Sequence, residues 1–130
     1  VVFFNRELAR EFDYRVKQSG QLSSKMRFAS AQWSAVLRDG VWLRHGAHAN
    51  RQARALAKGL RELGCTLAAP VEANGVFVEL PPRVYAALEA RGWHFYKFIG
   101  EHGYRLMCSW ETRDADVAAF LADARAAAGK

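Results

Sequence analysis

Arg105 is the side chain with the most chemistry to offer. It lies in YRLMCSW, residues 104–110, where the side chains alternate in character. Read as a strand, the run sends Tyr104, Leu106, Cys108 and Trp110 to one face and Arg105, Met107 and Ser109 to the other. An arginine on the outer face of a half-buried sheet is either a solvated cation or a guanidinium fork aimed across a cleft at a carboxylate, and the spacing fits both. A second concentration of donors is RVKQSGQLSSKMRF, residues 15–28, which sets Arg15, Lys17, Lys25 and Arg27 among serines and a glycine. Small residues permit close backbone approach and the cations supply charge, a combination suited to phosphate; a basic helix-loop surface is the alternative. His45 and His48 stand at i and i+3, a spacing two metal ligands can use, but no third ligand or HExxH pattern completes a site, so no metal is expected. Glycine-rich phosphate loops, nucleophile elbows and cysteine–histidine arrangements are all missing, and no catalytic group is assigned within the chain.

Several elements must position these groups. The apolar run Val1, Val2, Phe3 and Phe4 reads as a strand of a sheet buried on both faces, whose other strands the chain does not contain; this suggests a fragment of a larger protein. Residues 6–37 carry a helical pattern anchored by Phe12, Val16, Leu22, Met26 and Phe28 and interrupted around Gly20. From Asp39, a plausible N-cap, a longer helix is predicted to run to Leu63, with Gly64 as its left-handed C-terminal residue. Its stripe is Ala49, Ala53, Leu56, Leu60 and Leu63. Beyond it the order predicted from residue 65 is strand, strand, helix, strand, strand, helix. Asn74-Gly75 opens a strand with Val76, Val78 and Leu80 on one side; Pro81 and Pro82 start a short helix that Gly92 closes; strands follow at 93–99 and 104–110. The last helix begins near Thr112, with Asp114 and Asp116 in its first turn, and buries Val117, Phe120, Leu121 and Ala124. Residues 65–130 thus read as a small α+β sheet with helices on one face.

Composition narrows the classes. The 130 residues are 51% apolar and 25% charged, which is globular and not disordered. No apolar run nears the roughly 18 residues of a membrane span, and the start lacks the layout of a signal peptide. Two cysteines 43 positions apart suit a reducing compartment, and a cytoplasmic location is expected. Residues 1–64 hold twelve basic and five acidic side chains, whereas 65–130 hold seven and eight. The basic half invites an anionic partner, either a small phosphate or carboxylate ligand or nucleic acid. None of the nucleic-acid motifs is present, and neither nucleic acid nor a membrane is expected as a partner.

RVKQSGQLSSKMRF (15–28), WSAVLRDGVWLRHGAHAN (33–50), ANGVFVEL (73–80), RGWHFYKFIG (91–100) and YRLMCSW (104–110) together resemble the low-specificity threonine aldolases, including their phenylserine-cleaving branch. The resemblance implies an α/β fold overall, that of the fold-type-I pyridoxal-phosphate enzymes. Residues 1–38 would end the large cofactor-binding domain, 39–64 would form a long linking helix, and 65–130 a small C-terminal α+β domain. It also implies cleavage of β-hydroxy-α-amino acids such as threonine, allo-threonine and phenylserine to glycine and an aldehyde, with pyridoxal 5'-phosphate as electron sink. A β-eliminating lyase of the same fold is the alternative it leaves open. The family's Schiff-base lysine sits in a loop just before the strand that residues 1–4 resemble, so neither Lys17 nor Lys25 is that lysine, and the chain is not expected to be active alone. By the same resemblance Arg105 holds the substrate α-carboxylate, Lys17 lies near the cofactor phosphate, and Arg27 is a second phosphate candidate. The resemblance further implies a homo-oligomer, a dimer or a homotetramer.

Overall fold

The computed structural model describes residues 2–129, which divide into two compact units at Asp39/Gly40. The first unit is helical. A 3-10 turn at Glu7–Ala9 leads into α1 (Phe12–Gln18) and α2 (Met26–Leu37), and the break between the helices contains Gly20 at φ +68° and Lys25 at φ +62°. The interruption read at Gly20 is present, but its anchors are not a core. Phe12 and Val16 are half-buried, whereas Leu22, Met26 and Phe28 are exposed. Helices of 7 and 12 residues offer each other too little surface to cover these side chains. Of the strand expected over residues 1–4, Val1 lies outside the described residues, and residues 2–4 form none. No described strand of this unit offers a ladder to pair with; Phe3 instead turns its ring edge-on to Phe12, 4.8 Å away, and Phe4 is exposed.

The second unit is built around α3 (Val41–Glu62). Its N-terminus corrects the sequence reading. Asp39 sits at φ +53° within a kinked 3-10 turn, and the N-cap is Gly40 at φ +67°, whose missing Cβ tolerates that conformation. The other end agrees with it, Gly64 adopting φ +83°. Ala49, Ala53, Leu56, Leu60 and Leu63 are all buried. Gly59 adds a close approach: a Cβ there would overlap the methyl groups of Leu121 on α5 (Asp114–Ala128).

Against α3 packs a three-stranded antiparallel sheet of β1 (Gly75–Glu79), β2 (Tyr96–Ile99) and β3 (Gly103–Met107), in the order β1-β3-β2, with α4 (Pro82–Ala90) joining β1 to β2. Val76, Val78, Tyr104 and Leu106 meet the helices, with Leu88 and Phe120 closing the core. Burying each such aliphatic side chain stabilises the unit by roughly 1.5–3 kcal/mol. An aromatic layer ties the helices together: Tyr85 stacks on Tyr104 at 4.6 Å, and Phe95 stands edge-on to both Tyr104 and Phe120. No helix among the described residues is long and apolar enough to cross a membrane.

Three strand readings change. The first of the two strands expected after residue 65 is a single bridge, Leu67 to Val78, because Pro70 has no N–H to donate and restricts the residue before it. The strand expected at 93–99 starts only at Tyr96, since Trp93 and Phe95 turn into the core. The strand expected at 104–110 ends at Met107. Asn74 takes both backbone groups of Cys108, accepting from its N–H at 2.9 Å and donating from Nδ2 to its carbonyl at 2.7 Å, and Thr112 Oγ1 accepts from Ser109 N–H. Trp110, expected inside, is therefore exposed and stacks on His45 at 5.3 Å.

The start of α5 is held by Arg113 and Asp116. Arg113 donates to the Asp116 carboxylate from Nη2 at 2.7 Å and from its backbone N–H at 2.9 Å. These bonds, the side-chain one foremost, hold the Asp116 carboxyl below its usual range. A depressed folded value means stability that is present above the unfolded value and lost as pH falls through the folded one. Unfolding curves of wild type and Asp116→Asn are therefore expected to differ most near neutral pH and to converge in acid; a gap that stays constant with pH would contradict this assignment.

Candidate functional site: an arginine on the open face of the sheet

Alternation along β3 decides where Arg105 goes. Tyr104 and Leu106 are buried under the helices, so Arg105 and Met107 emerge on the opposite face. Register then sets its neighbours: Arg105 pairs with Phe77 of β1 on one side and Tyr96 of β2 on the other, which places three side chains in a row across the sheet. Phe98, two residues beyond Tyr96, joins them, its ring 5.1 Å from that of Phe77. A register shift between Lys97 and Ile99 and the lack of a side chain at Gly103 let β2 close onto β3. Any Cβ at Gly103 would collide with the Ile99 carbonyl.

The guanidinium is gripped by aromatic rings. Its central carbon lies 5.0 Å from the Tyr96 ring centroid and 4.9 Å from that of Phe98. Among the described residues no carboxylate pairs with it, and its Nε is buried with no hydrogen-bond partner. A half-buried cation that no carboxylate among the described residues neutralises is suited to receive an anion. The Tyr96 and Phe98 neighbours escaped the sequence reading, although their i, i+2 spacing in the adjoining strand was the signal that could have found them.

Lys17 and Arg27 belong to the other unit, on α1 and α2 at either side of the turn at residues 19–25. Both are exposed, neither is ion-paired among the described residues, and Arg27 lies 5.0 Å from the centroid of the Phe28 ring. Exposed, unpaired cations flanking a serine- and glycine-containing turn fit a phosphate by the chemistry of the donor set.

The remaining polar groups have structural work. His48 Nε2 lies 2.7 Å from the Thr112 carbonyl and His45 stacks on Trp110, so the two histidines tie α3 to the turn before α5. Gln52 donates to Asp114 at 2.6 Å. Cys108 lines an apolar cavity of about 220 Å³ with Leu56, Trp93, Leu106 and Phe120, and burial pushes its thiol up, away from the thiolate form. Arg105 does not line that cavity; it stands on the open face of the sheet.

Known proteins share this sequence and backbone. The chain is 54% identical over 127 residues to the low-specificity L-threonine aldolase of a Pseudomonas species, covering 97% of this chain and 37% of that protein. It is 58% identical over 113 residues to the protein of the same name from Pseudomonas aeruginosa, covering 86% and 33%. A threonine aldolase structure from Leishmania major matches with a TM-score of 0.82 at 26% identity, over 89% of this chain and 35% of that one. Serine palmitoyltransferase of Sphingomonas wittichii, with a TM-score of 0.52 at 22% identity over 62% and 23%, shows shared fold alone. No protein-family model matches the chain. The mixed helix-and-sheet chain is thus of the fold-type-I class that the resemblance implied. By sequence and by backbone it is similar to a segment of the low-specificity threonine aldolases, spanning about a third of the length of the curated relatives it matches.

Proposed function

We propose that this chain serves a pyridoxal-phosphate-dependent aldehyde-lyase that cleaves threonine and related β-hydroxy-α-amino acids to glycine and an aldehyde, and that Arg105 holds the substrate's α-carboxylate. The observation that carries this reading is the state of Arg105: a cation on the open sheet face, unpaired among the described residues, in a sequence more than half identical to threonine aldolases. A guanidinium offers two parallel N–H donors to a carboxylate, and such a pair fixes the plane as well as the position of the bound amino acid. Orientation matters because cleavage needs the Cα–Cβ bond turned perpendicular to the cofactor ring. The pyridoxal group, when bound, supplies the electron sink. Lys17 and Arg27 are the residues of this chain that would stand by its phosphate, with residues 1–38 in the large domain, 39–64 as the link and 65–130 as the small domain. The lysine that bonds to the cofactor is not assigned to this chain.

The reading includes a homo-oligomer, a dimer or tetramer, working in the cytoplasm. Its support is the apolar stripe of α2, where Trp33, Val36 and Leu37 are all exposed, a surface that another subunit would cover. The low cysteine count suits a reducing compartment.

In the holoenzyme, Arg105→Ala is expected to raise KM for threonine roughly 10- to 200-fold, the worth of a hydrogen-bonded charge pair, while cofactor absorbance is unchanged. A KM within about twofold of wild type would overturn the role of Arg105. Light scattering on the same preparation is expected to give the mass of a dimer or tetramer; a monomer mass would contradict the assembly.

A further inference from the structure

We infer that Tyr96 and Phe98 are positioning residues that aim Arg105, forcing it to meet a carboxylate end-on through its two Nη atoms. This rests on the reading of Arg105 as the carboxylate holder and goes beyond it, because it assigns a task to two residues of β2 and selects one of two possible binding modes.

A guanidinium can grip a carboxylate side-on, through Nε and one Nη, or end-on, through both Nη atoms. Here the Nε is buried and answered by no acceptor, so the side-on edge is closed to a ligand. What fixes the group is aromatic. The guanidinium carbon lies 5.0 Å from the Tyr96 centroid and 4.9 Å from that of Phe98, and no hydrogen bond or ion pair among the described residues competes for it. Ring faces attract the cation without consuming any of its donors. A carboxylate partner would have held the side chain equally well but would have filled the fork meant for substrate. Aromatic support therefore orders a long, flexible side chain before the amino acid arrives, which lessens the conformational entropy lost on binding.

The rings are themselves placed by the sheet. Tyr96 is the register partner of Arg105, Phe98 leans on Phe77 from the opposite edge strand, and the approach of β2 depends on the bare Cα of Gly103. Tyr96 and Phe98 are both more than half exposed, so shortening them does not open the core.

Steady-state kinetics of the holoenzyme with threonine test the inference. Phe98→Leu and Tyr96→Leu are each expected to raise KM roughly two- to thirty-fold, with kcat changed less than KM and the unfolding midpoint retained. Phe98→Tyr, which keeps a ring, is expected to restore the wild-type KM. In an Arg105→Ala background, Phe98→Leu should add nothing. If Arg105→Ala raises KM and the two leucine variants do not, the positioning role is overturned while the carboxylate assignment stands. If Phe98→Leu costs as much without Arg105 as with it, the ring touches substrate directly, and the inference is again overturned. An unchanged KM in Arg105→Ala itself would remove the carboxylate assignment and this inference with it.

Discussion

The burial of Tyr104 and Leu106 beneath α3, α4 and α5 is the constraint from which the site follows. β3 is the central strand, paired on both edges, and its side chains alternate with a period of two. A slip of one residue would drive Arg105 into the core and expel two apolar side chains, so the register that stabilises the unit is also the one that turns the cation outward. Placement of the Arg105 cation on the open face therefore needs no separate device; it comes with the packing of the opposite face.

What alternation cannot supply is aim. An arginine standing alone on a strand sweeps a large volume, and its charge is worth little to a ligand until that volume is restricted. The flanking strands provide the restriction through Phe77 and Tyr96 at the same level of the sheet and Phe98 beside them. The outcome is a half-buried cation among ring faces, a setting in which a carboxylate meets less competition from water than it would at a solvated lysine. Elsewhere in the unit polar groups answer one another, as in the Asp123 carboxylate that receives both Arg91 at 2.8 Å and the Trp93 indole N–H at 2.8 Å. Two buried polar atoms among the described residues go unanswered, Gln52 Oε1 on α3 and Arg105 Nε on β3, and only the second belongs to a charged group.

Much of this was legible in the residues, and the failures have definite causes. The stripe of α3, the alternation of β1 and β3 and the apolar face of α5 are set by local periodicity, which one sequence displays directly. The ends of strands are not. β3 stops at Met107 because Asn74, thirty-four positions away, captures the backbone of Cys108, and the first expected strand dissolves because a proline stands in it. Asp39 failed as a cap because Gly40 takes up the chain reversal. Arg105 was visible from its own strand, yet its partners lie on two others, and a contact across strands depends on register, which the sequence of one strand does not disclose. Charge and small-residue spacing point only to the four cations of residues 15–28; the resemblance picks Lys17 and Arg27 from among them, and the structure presents both as exposed.

The central claim is that the open face of the sheet recognises a carboxylate through one guanidinium. Binding of glycine and of glycinamide, which lacks the charged carboxylate, to the wild-type holoenzyme and to Arg105→Ala tests it most directly. The account predicts that wild type prefers glycine and that this preference falls by about tenfold or more in the variant. An equal preference for glycine in both proteins would contradict it.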